Sequence, residues 1–486
     1  MSDPESPPVE ASAPVRPQGW MYRDWSLLGL KVPYYASPVF QVVLLSFVCF
    51  LCPGMFNALS GLGGGGQVNA DAANKATIAL YSTFAVVAFF GGTVCNLLGL
   101  QTTLLVGTLG YPLYVGAFLS YNINQNENFV IAAGAILGVC AGLLWTAQGA
   151  IMMAYASEGE KGRFIAIFWA IFNAGAVIGG LVPLIQNVQS TQASVGNATY
   201  IGFLALTALG SLSALALCRT ERVRRPDGTG IDRVEQPSVV DEVVGVWRVL
   251  RDDTYVVLLF PLFFSSNIFY TYQFNDVNLA RFNIRTRSLN NLMYWMAQII
   301  AAYAFGLLLD WTRFGRRARA FAGLAGLFAV TMIIWGCGYA FQRTYTRASV
   351  ASGETPLIDW TDSAFPAPFV LYWFYGFFDA VWQAYVYWLM GALSNSSSRL
   401  AYFAGMYKGL QSAGAAIMYS LDNWQKPYMT LFAINWALLP ASLVIALPVV
   451  YYKVKEHGEA AAAGQVHASD EKLDGPEKVQ HEHDSN

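Results

Sequence analysis

The chain has 486 residues, of which 55% are hydrophobic and 12% are charged, with a formal net charge of −2. Soluble domains carry about 25% charged residues, so water is the wrong solvent for most of this chain. The charge balance also excludes nucleic acid as a partner, because phosphate backbones are met by a basic footprint.

Residues 1–35 are Pro-rich and mixed in charge, and are expected to be a disordered cytoplasmic segment with Trp20, Tyr22 and Trp25 near the membrane interface. No secretory signal is read there, since the first apolar stretch begins late, follows acidic residues and is too long for an h-region. Twelve apolar runs follow, at 37–58, 76–97, 100–120, 129–154, 163–186, 198–218, 254–274, 290–311, 318–340, 366–392, 399–420 and 428–452. A bilayer takes about 20 apolar residues per spanning helix, so each run is predicted to be one span of an all-α polytopic membrane protein. The longest polar break, Arg219 to Asp253, comes after the sixth run. It divides the chain into a first six-helix bundle at 36–218, a cytoplasmic loop at 219–253 and a second six-helix bundle at 254–452. Residues 453–486 are charged, lack apolar periodicity and are expected to be a disordered cytoplasmic tail. All four histidines lie in that tail, so the membrane interior has no histidine to carry a proton or bind a metal.

Orientation follows the Lys and Arg bias. With both termini in the cytoplasm, 21 of the 29 basic residues fall on that side, 7 fall on the other, and Lys408 lies within the membrane. Asn197-Ala198-Thr199 is a glycosylation sequon on the predicted outer side. Three outer arginines, Arg281, Arg285 and Arg287, break the charge rule. They could attract an anion or close an outer gate, but pairing with Asp276, Asp359 or Asp362 is favoured.

Most local patterns have a packing explanation. Gly134, Gly138 and Gly142 form a four-residue ladder that predicts a helix-packing face. Cys49 and Cys52 match a redox or metal spacing but read as two small apolar residues of a spanning helix. The loop Gly61-Leu62-Gly63-Gly64-Gly65-Gly66-Gln67 lacks the Lys-Ser/Thr of a phosphate loop and follows a membrane helix. No nucleophile elbow, zinc motif or nucleotide fingerprint is present. Neither an enzyme activity nor a cofactor is therefore expected.

Two unlike charges stand in the middle of adjacent apolar runs, Asp379 and Lys408. A charge near the bilayer centre costs roughly 3 kcal/mol on insertion scales, so it faces the bundle interior or a polar cavity. Counted from the inner ends of their runs, their depths differ by about 6 Å, within reach of a lysine side chain. A neutralising pair is expected, either coupling transport or fixing helix packing. Gln383 lies one turn from Asp379 on the same face. Gln148, Asn267, Gln298 and Gln411 are further amides at membrane depth, each able to line a cavity or to join two helices.

Between the eighth and ninth runs, Gly306, Asp310, Arg313, Gly315, Arg316 and Arg317 resemble the cytoplasmic loop motif of the major facilitator superfamily, with two extra residues between Asp and Gly. There the glycine is expected to permit close helix approach, and the carboxylate to take bonds from the basic loop or a facing helix end. The equivalent link of the first half has Asn96 for the aspartate. A repeat is also suggested by the Ala-Gly-Ala core shared by Ala174-Gly175-Ala176 of the fifth run and Ala413-Gly414-Ala415 of the eleventh.

Further stretches extend the likeness: Cys52-Pro53-Gly54-Met55-Phe56-Asn57, Leu144-Trp145-Thr146-Ala147-Gln148-Gly149, Tyr270-Thr271-Tyr272-Gln273-Phe274-Asn275-Asp276-Val277-Asn278 and Gly376-Phe377-Phe378-Asp379-Ala380. Together they resemble the branch of that superfamily named for "uncoordinated" ion-channel regulatory proteins, in particular its fungal-type members. The resemblance covers residues 35–452. It implies a central cavity lined by runs one, four, seven and ten, with Asn57, Gln148, Asn267, Asp379 and Gln383 nearest a ligand. The leading expectation is a secondary transporter of an unidentified small molecule, working without ATP. The rivals are a non-transporting regulator bound to a membrane-protein partner, which the family's name implies, and a lipid or sterol handler suggested by the aromatic tenth run. The plasma membrane is favoured, ahead of vacuolar or endoplasmic-reticulum membrane.

Overall fold

The computed structural model describes residues 17–27, 29–67, 70–88, 90–155, 161–190, 194–231, 239–309, 311, 313–393 and 397–455. Of the segment 1–35 expected to be disordered, residues 17–27 and 29–35 have a defined structure, and residues 1–16 lie outside the described residues. A hairpin joins β1 (Trp25–Leu27) to β2 (Leu30–Val32). Aromatic anchors hold this segment down. Trp20 packs on Tyr35 with ring centroids 5.1 Å apart, and the Tyr22 hydroxyl donates to the Arg222 carbonyl at 2.7 Å. Tyr34 donates to the carbonyl of Arg224 at 2.8 Å. Of the residues read as interface anchors, Tyr22 thus docks the N-terminal segment on the link after the sixth span, together with Tyr34.

The spans are α1 (Pro38–Ser60), α2 (Asp71–Val87 with Gly91–Leu98), α3 (Leu100–Asn124), α4 (Glu127–Tyr155), α5 (Lys161–Asn187) and α6 (Asn197–Ala214). Then come α7 (Thr254–Leu279), α8 (Ile284–Leu309), α9 (Arg316–Gln342), α10 (Pro366–Leu393), α11 (Ser397–Asn423) and α12 (Tyr428–Lys453). Among the described residues, eight of these are long and apolar enough to cross a bilayer, and the two parts of α2, bent by 68°, add a ninth. The other three are α6, which has 18 residues, α10, whose apolar content is diluted by Tyr and Trp, and α11, which carries Lys408, Gln411 and Asp422.

Local chemistry sets the ends and breaks. Ser37 caps α1, its Oγ accepting from the Phe40 N–H at 3.2 Å, and Pro53 interrupts the same helix after Leu51. The last eight residues of α7, Tyr272–Leu279, form a π-helical stretch. Such stretches occur often at functional sites. Helices α7 and α8 run beyond the predicted windows because their polar ends, Asn275–Asn278 and Thr286–Asn291, are buried between the halves rather than turned to water.

Two apolar cores, one per half, hold the molecule together. The halves meet mainly through α2 against α11 and α5 against α8. These pairs are exchanged by a six-helix duplication, since α2 corresponds to α8 and α5 to α11. The paired glycines do the same job in each half. A Cβ on Gly175 of α5 would stand 2.5 Å from the Phe50 carbonyl oxygen of α1, and one on Gly414 of α11 would stand 2.3 Å from that of Phe264 in α7. The glycine ladder packs α4 on α2 as expected: Cβ atoms on Gly134 and Gly138 would fall 2.3 and 2.2 Å from the carbonyl oxygens of Ala76 and Leu80. Cys49 and Cys52 are buried free thiols.

The segment before α1, the last turn of α12 and the link between α6 and α7 share one end of the bundle, where Lys453 lies over the Tyr255 ring at 4.9 Å. This is the termini end; the opposite one is the far end.

Candidate functional site

Asp379 sits midway along α10 and is fully buried. Its surroundings are neutral donors. Gln298 of α8 donates to Oδ2 at 2.6 Å, Tyr294 of α8 donates to the same oxygen at 3.1 Å, and Gln383, one turn on, reaches Oδ1 at 3.4 Å. Gly376 lets α8 come this close, since a Cβ there would stand 2.3 Å from the Tyr294 carbonyl oxygen. Tyr270 of α7 also contacts the carboxyl group, and Tyr81 of α2, from the other half, lies within range of its charge. Across the same gap Tyr81 stacks on Tyr419 of α11, with centroids 6.2 Å apart.

The network continues through amides. Gln383 donates to Asn267 Oδ1 at 3.1 Å and to the Ser266 carbonyl at 3.0 Å, and takes a bond from the Tyr407 hydroxyl. Gln411 donates to Asn267 at 2.9 Å and accepts from Lys408 Nζ at 3.0 Å. Asp379 and Lys408 are thus linked through Gln383 and Gln411, with Gln411 donating to Gln383 Oε1 at 3.1 Å, which corrects the expectation of a direct pair. The ammonium group instead lies over the rings of Tyr407 and Tyr387, at 5.2 and 5.7 Å. Aromatic faces offer a cation partial compensation and leave the carboxyl group for another partner.

Asp379, Gln383, Asn267 and Lys408 are therefore brought into one polar cluster within the second half. Asn57 and Gln148 are half-buried on α1 and α4, and their side chains take no part in that network. Sequence reasoning missed Tyr81, Tyr270 and Tyr294. A hydropathy window treats tyrosine as filler, although the Tyr270 block was itself one of the stretches that resembled a family.

The far end is sealed by second-half side chains that grip first-half backbone. Arg287 of α8 is buried and donates to the carbonyls of Leu62 at 2.8 Å and Gly63 at 2.7 Å. Asn291 donates to Ala58 O at 2.6 Å and Asn278 to Gly61 O at 2.9 Å. The glycine loop is thus a cup of carbonyls for a cation, the opposite of a phosphate cradle. Positive φ at Gly63, Gly64, Gly65 and Gly66 shapes the cup. Beside it, Asn74 of α2 and Asn275 of α7 both donate to Asp422 Oδ2 of α11, at 2.7 and 2.9 Å. The other two outer arginines differ. Arg285 makes a two-bond pair with Asp359, at 2.6 and 2.8 Å, which holds that carboxyl well below the ordinary aspartate range. Arg281 lies over the Tyr345 ring at 4.8 Å.

The termini end is built differently. Trp169 of α5 meets Tyr387 of α10 with centroids 6.2 Å apart. In the loop motif, Asp310 lies outside the described residues. Gly306 faces open space, so it does not serve close helix approach as expected. Gly315 precedes the first turn of α9, Arg317 lies over the Tyr451 ring at 4.5 Å, and Arg313 is exposed while Arg316 is half-buried. The sequon falls on the first turn of α6. There Asn197 Oδ1 accepts from Asn122 at 2.6 Å and Thr199 is buried.

The family model described as "Ion channel regulatory protein UNC-93" matches residues 64–451. The chain belongs to the UNC-93 family. Among UNC-93-like relatives, one from Schizosaccharomyces pombe is 50% identical over 452 residues, covering 93% of this chain and 90% of its own. UNC93-like protein 1 of Arabidopsis thaliana is 44% identical over 428 residues, covering 87% and 92%. Among solved structures, a D-xylose–proton symporter matches with a TM-score of 0.57 at 13% identity, over 86% of this chain and 99% of the other. A partially occluded, inward-open xylose transporter from E. coli matches with a TM-score of 0.57 at 12% identity, over 86% and 98%. At that identity the likeness is one of fold. This UNC-93 family member is a multi-pass membrane protein with the major facilitator fold.

Proposed function

We propose that this protein is a secondary transporter that binds a small molecule between its two halves and moves it by alternating access. The observation that carries this reading is Asp379. It is a fully buried acid held by neutral amide and hydroxyl donors, with tyrosines of both halves around it and the nearby lysine occupied elsewhere. Burial of such a group is expensive and is expected where a ligand meets it. A substrate with a cationic or donor-rich group suits the acceptor oxygens of Asp379 and the surrounding ring faces. The seal at the far end and the looser ring contact at the other suit a protein at rest with its site reached from the termini end, which the basic-residue bias places in the cytoplasm. Plasma membrane remains the favoured location.

The test is uptake by purified protein in liposomes, against a panel of small cations, polyols and amino compounds. Asp379→Asn is expected to lower flux by at least tenfold at equal protein incorporation. Unchanged kinetics would remove Asp379 from the site. The family description favours a second reading, regulation of an ion channel by direct assembly. Stoichiometric co-purification with a channel and no flux for any compound would support it.

A further inference from the structure

Asp276 is a second fully buried carboxyl group, and its environment is unlike that of Asp379. It lies in the π-helical stretch of α7 at the far end, and neither of its oxygens receives a hydrogen bond. Among the described residues, one cation faces it. Arg347, on the link between α9 and α10, is 3.6 Å from Asp276 Oδ1, but the same Nη2 sits 2.5 Å from Asp422 Oδ1. Asp422 also collects the Asn74 and Asn275 amides, so its charge is well met. The other groups that face the pair are neutral or already engaged. The Tyr345 hydroxyl donates to the Asp276 backbone carbonyl at 2.9 Å, Tyr428 of α12 stacks on the Arg347 guanidinium at 4.1 Å, and Tyr272 lies one turn earlier on α7. Arg281 lies over the Tyr345 ring.

Two buried carboxyl groups therefore share one guanidinium. With both ionised, the cluster keeps a net negative charge in a buried site, and a buried charge with no protein donor is among the costliest arrangements in a protein. One proton removes it. On Asp276 that proton turns an acceptor with no donor into an O–H donor facing the ionised Asp422.

We propose that Asp276 and Asp422 form a proton-binding site whose loading closes the far end of the molecule. In the closed state Asp276 carries the proton, Asp422 is ionised, and Arg347 balances the pair. When the far end parts, Asn74 leaves Asp422 with the first half, water reaches Asp276, and its proton passes to that water. The deprotonated pair repels itself and resists reclosure until a proton returns. Under the transport reading proposed above, this makes the proton the co-substrate released and taken up at the far side. The gating itself does not depend on that reading.

The test measures far-end separation without any substrate. Cysteines replace the exposed Asn124 on α3 and Glu354 on the link before α10, with the exposed Cys337 removed, and spin labels report their distance in liposomes from pH 5 to pH 9. The unsubstituted gate is expected to be closed at low pH and to open as pH rises. Asp276→Asn, which mimics the protonated group, is expected to stay closed throughout. Asp379→Asn is expected to keep the original midpoint, which separates this site from the substrate site. Arg347→Gln removes the shared cation, so closure needs a second proton and its midpoint moves to lower pH. A distance independent of pH in the unsubstituted gate, or an unshifted midpoint in Asp276→Asn, overturns the proposal. Neither result bears on whether the protein transports, which the flux assay decides by itself.

Discussion

The two ends of this molecule are joined by different chemistry. At the far end, Arg287, Asn291, Asn278, Asn74 and Asn275 make directional bonds between the halves, several of them to bare backbone carbonyls. At the termini end, Trp169 and Tyr387 meet as tilted rings. A buried polar seam is strong only when complete, because each broken bond leaves a buried group without a partner. A ring contact has no such threshold and can part gradually. The comparison teaches that the far end behaves as a latch with two states, while the other end behaves as a hinge-side cushion.

The largest effect is expected where the seam is densest. Arg287→Ala leaves the carbonyls of Leu62 and Gly63 buried without this donor, at a cost of about 3 kcal/mol or more for two charge-assisted bonds. The melting temperature in detergent should fall, and a cysteine placed at Leu62, which is buried in the cup, should become reachable by a thiol reagent from the far side. A normal melting temperature would mean that the cup is not closed by Arg287. Gly376→Ala comes next. The added Cβ meets the Tyr294 carbonyl oxygen at 2.3 Å, so α8 and α10 must separate, at roughly 1–3 kcal/mol for an overpacked core. It should also weaken substrate affinity by moving Tyr294 from Asp379, whereas Gly306→Ala, which faces open space, should alter neither stability nor binding. Asn74→Ala removes one bond from Asp422 and is expected to cost about 1 kcal/mol, read as a small rise in far-side labelling.

The smallest effect lies outside the membrane. The Arg285 pair depresses Asp359, so its contribution is fully present above the ordinary aspartate value near ~4 and is lost as pH falls below it. Replacing Asp359 with Asn should leave stability unchanged in its pH dependence above that value and flatten the acid limb below it. A change between pH 6 and 8 would contradict the assignment.

Much of this architecture was legible in the apolar runs, since bilayer thickness leaves little choice of span length. The glycine ladder and the Ala-Gly-Ala repeat were also readable, because only a missing Cβ allows helices to approach so closely. The site was legible in part. Asp379, Gln383 and Asn267 announced themselves as polar groups at apolar depth, and the structure joins them. Lys408 announced itself equally but points to Gln411 and tyrosine rings, a choice of rotamer and partner that spacing along a helix does not encode. Asp422 and Asn74 are not singled out by the sequence because they lie near helix ends, where a charged or polar group needs little explanation. Their burial comes from the meeting of two halves more than 300 residues apart in the chain, as the 348-residue separation of that hydrogen bond records.

The central claim is that the buried acidic site opens towards the termini end while the polar seam bars the other. Lys408→Cys tests it directly, being half-buried beside the Asp379 network. In sealed vesicles of known orientation, a membrane-impermeant thiol reagent is expected to label it from the termini side and not from the far side. Labelling from the far side alone would contradict the account.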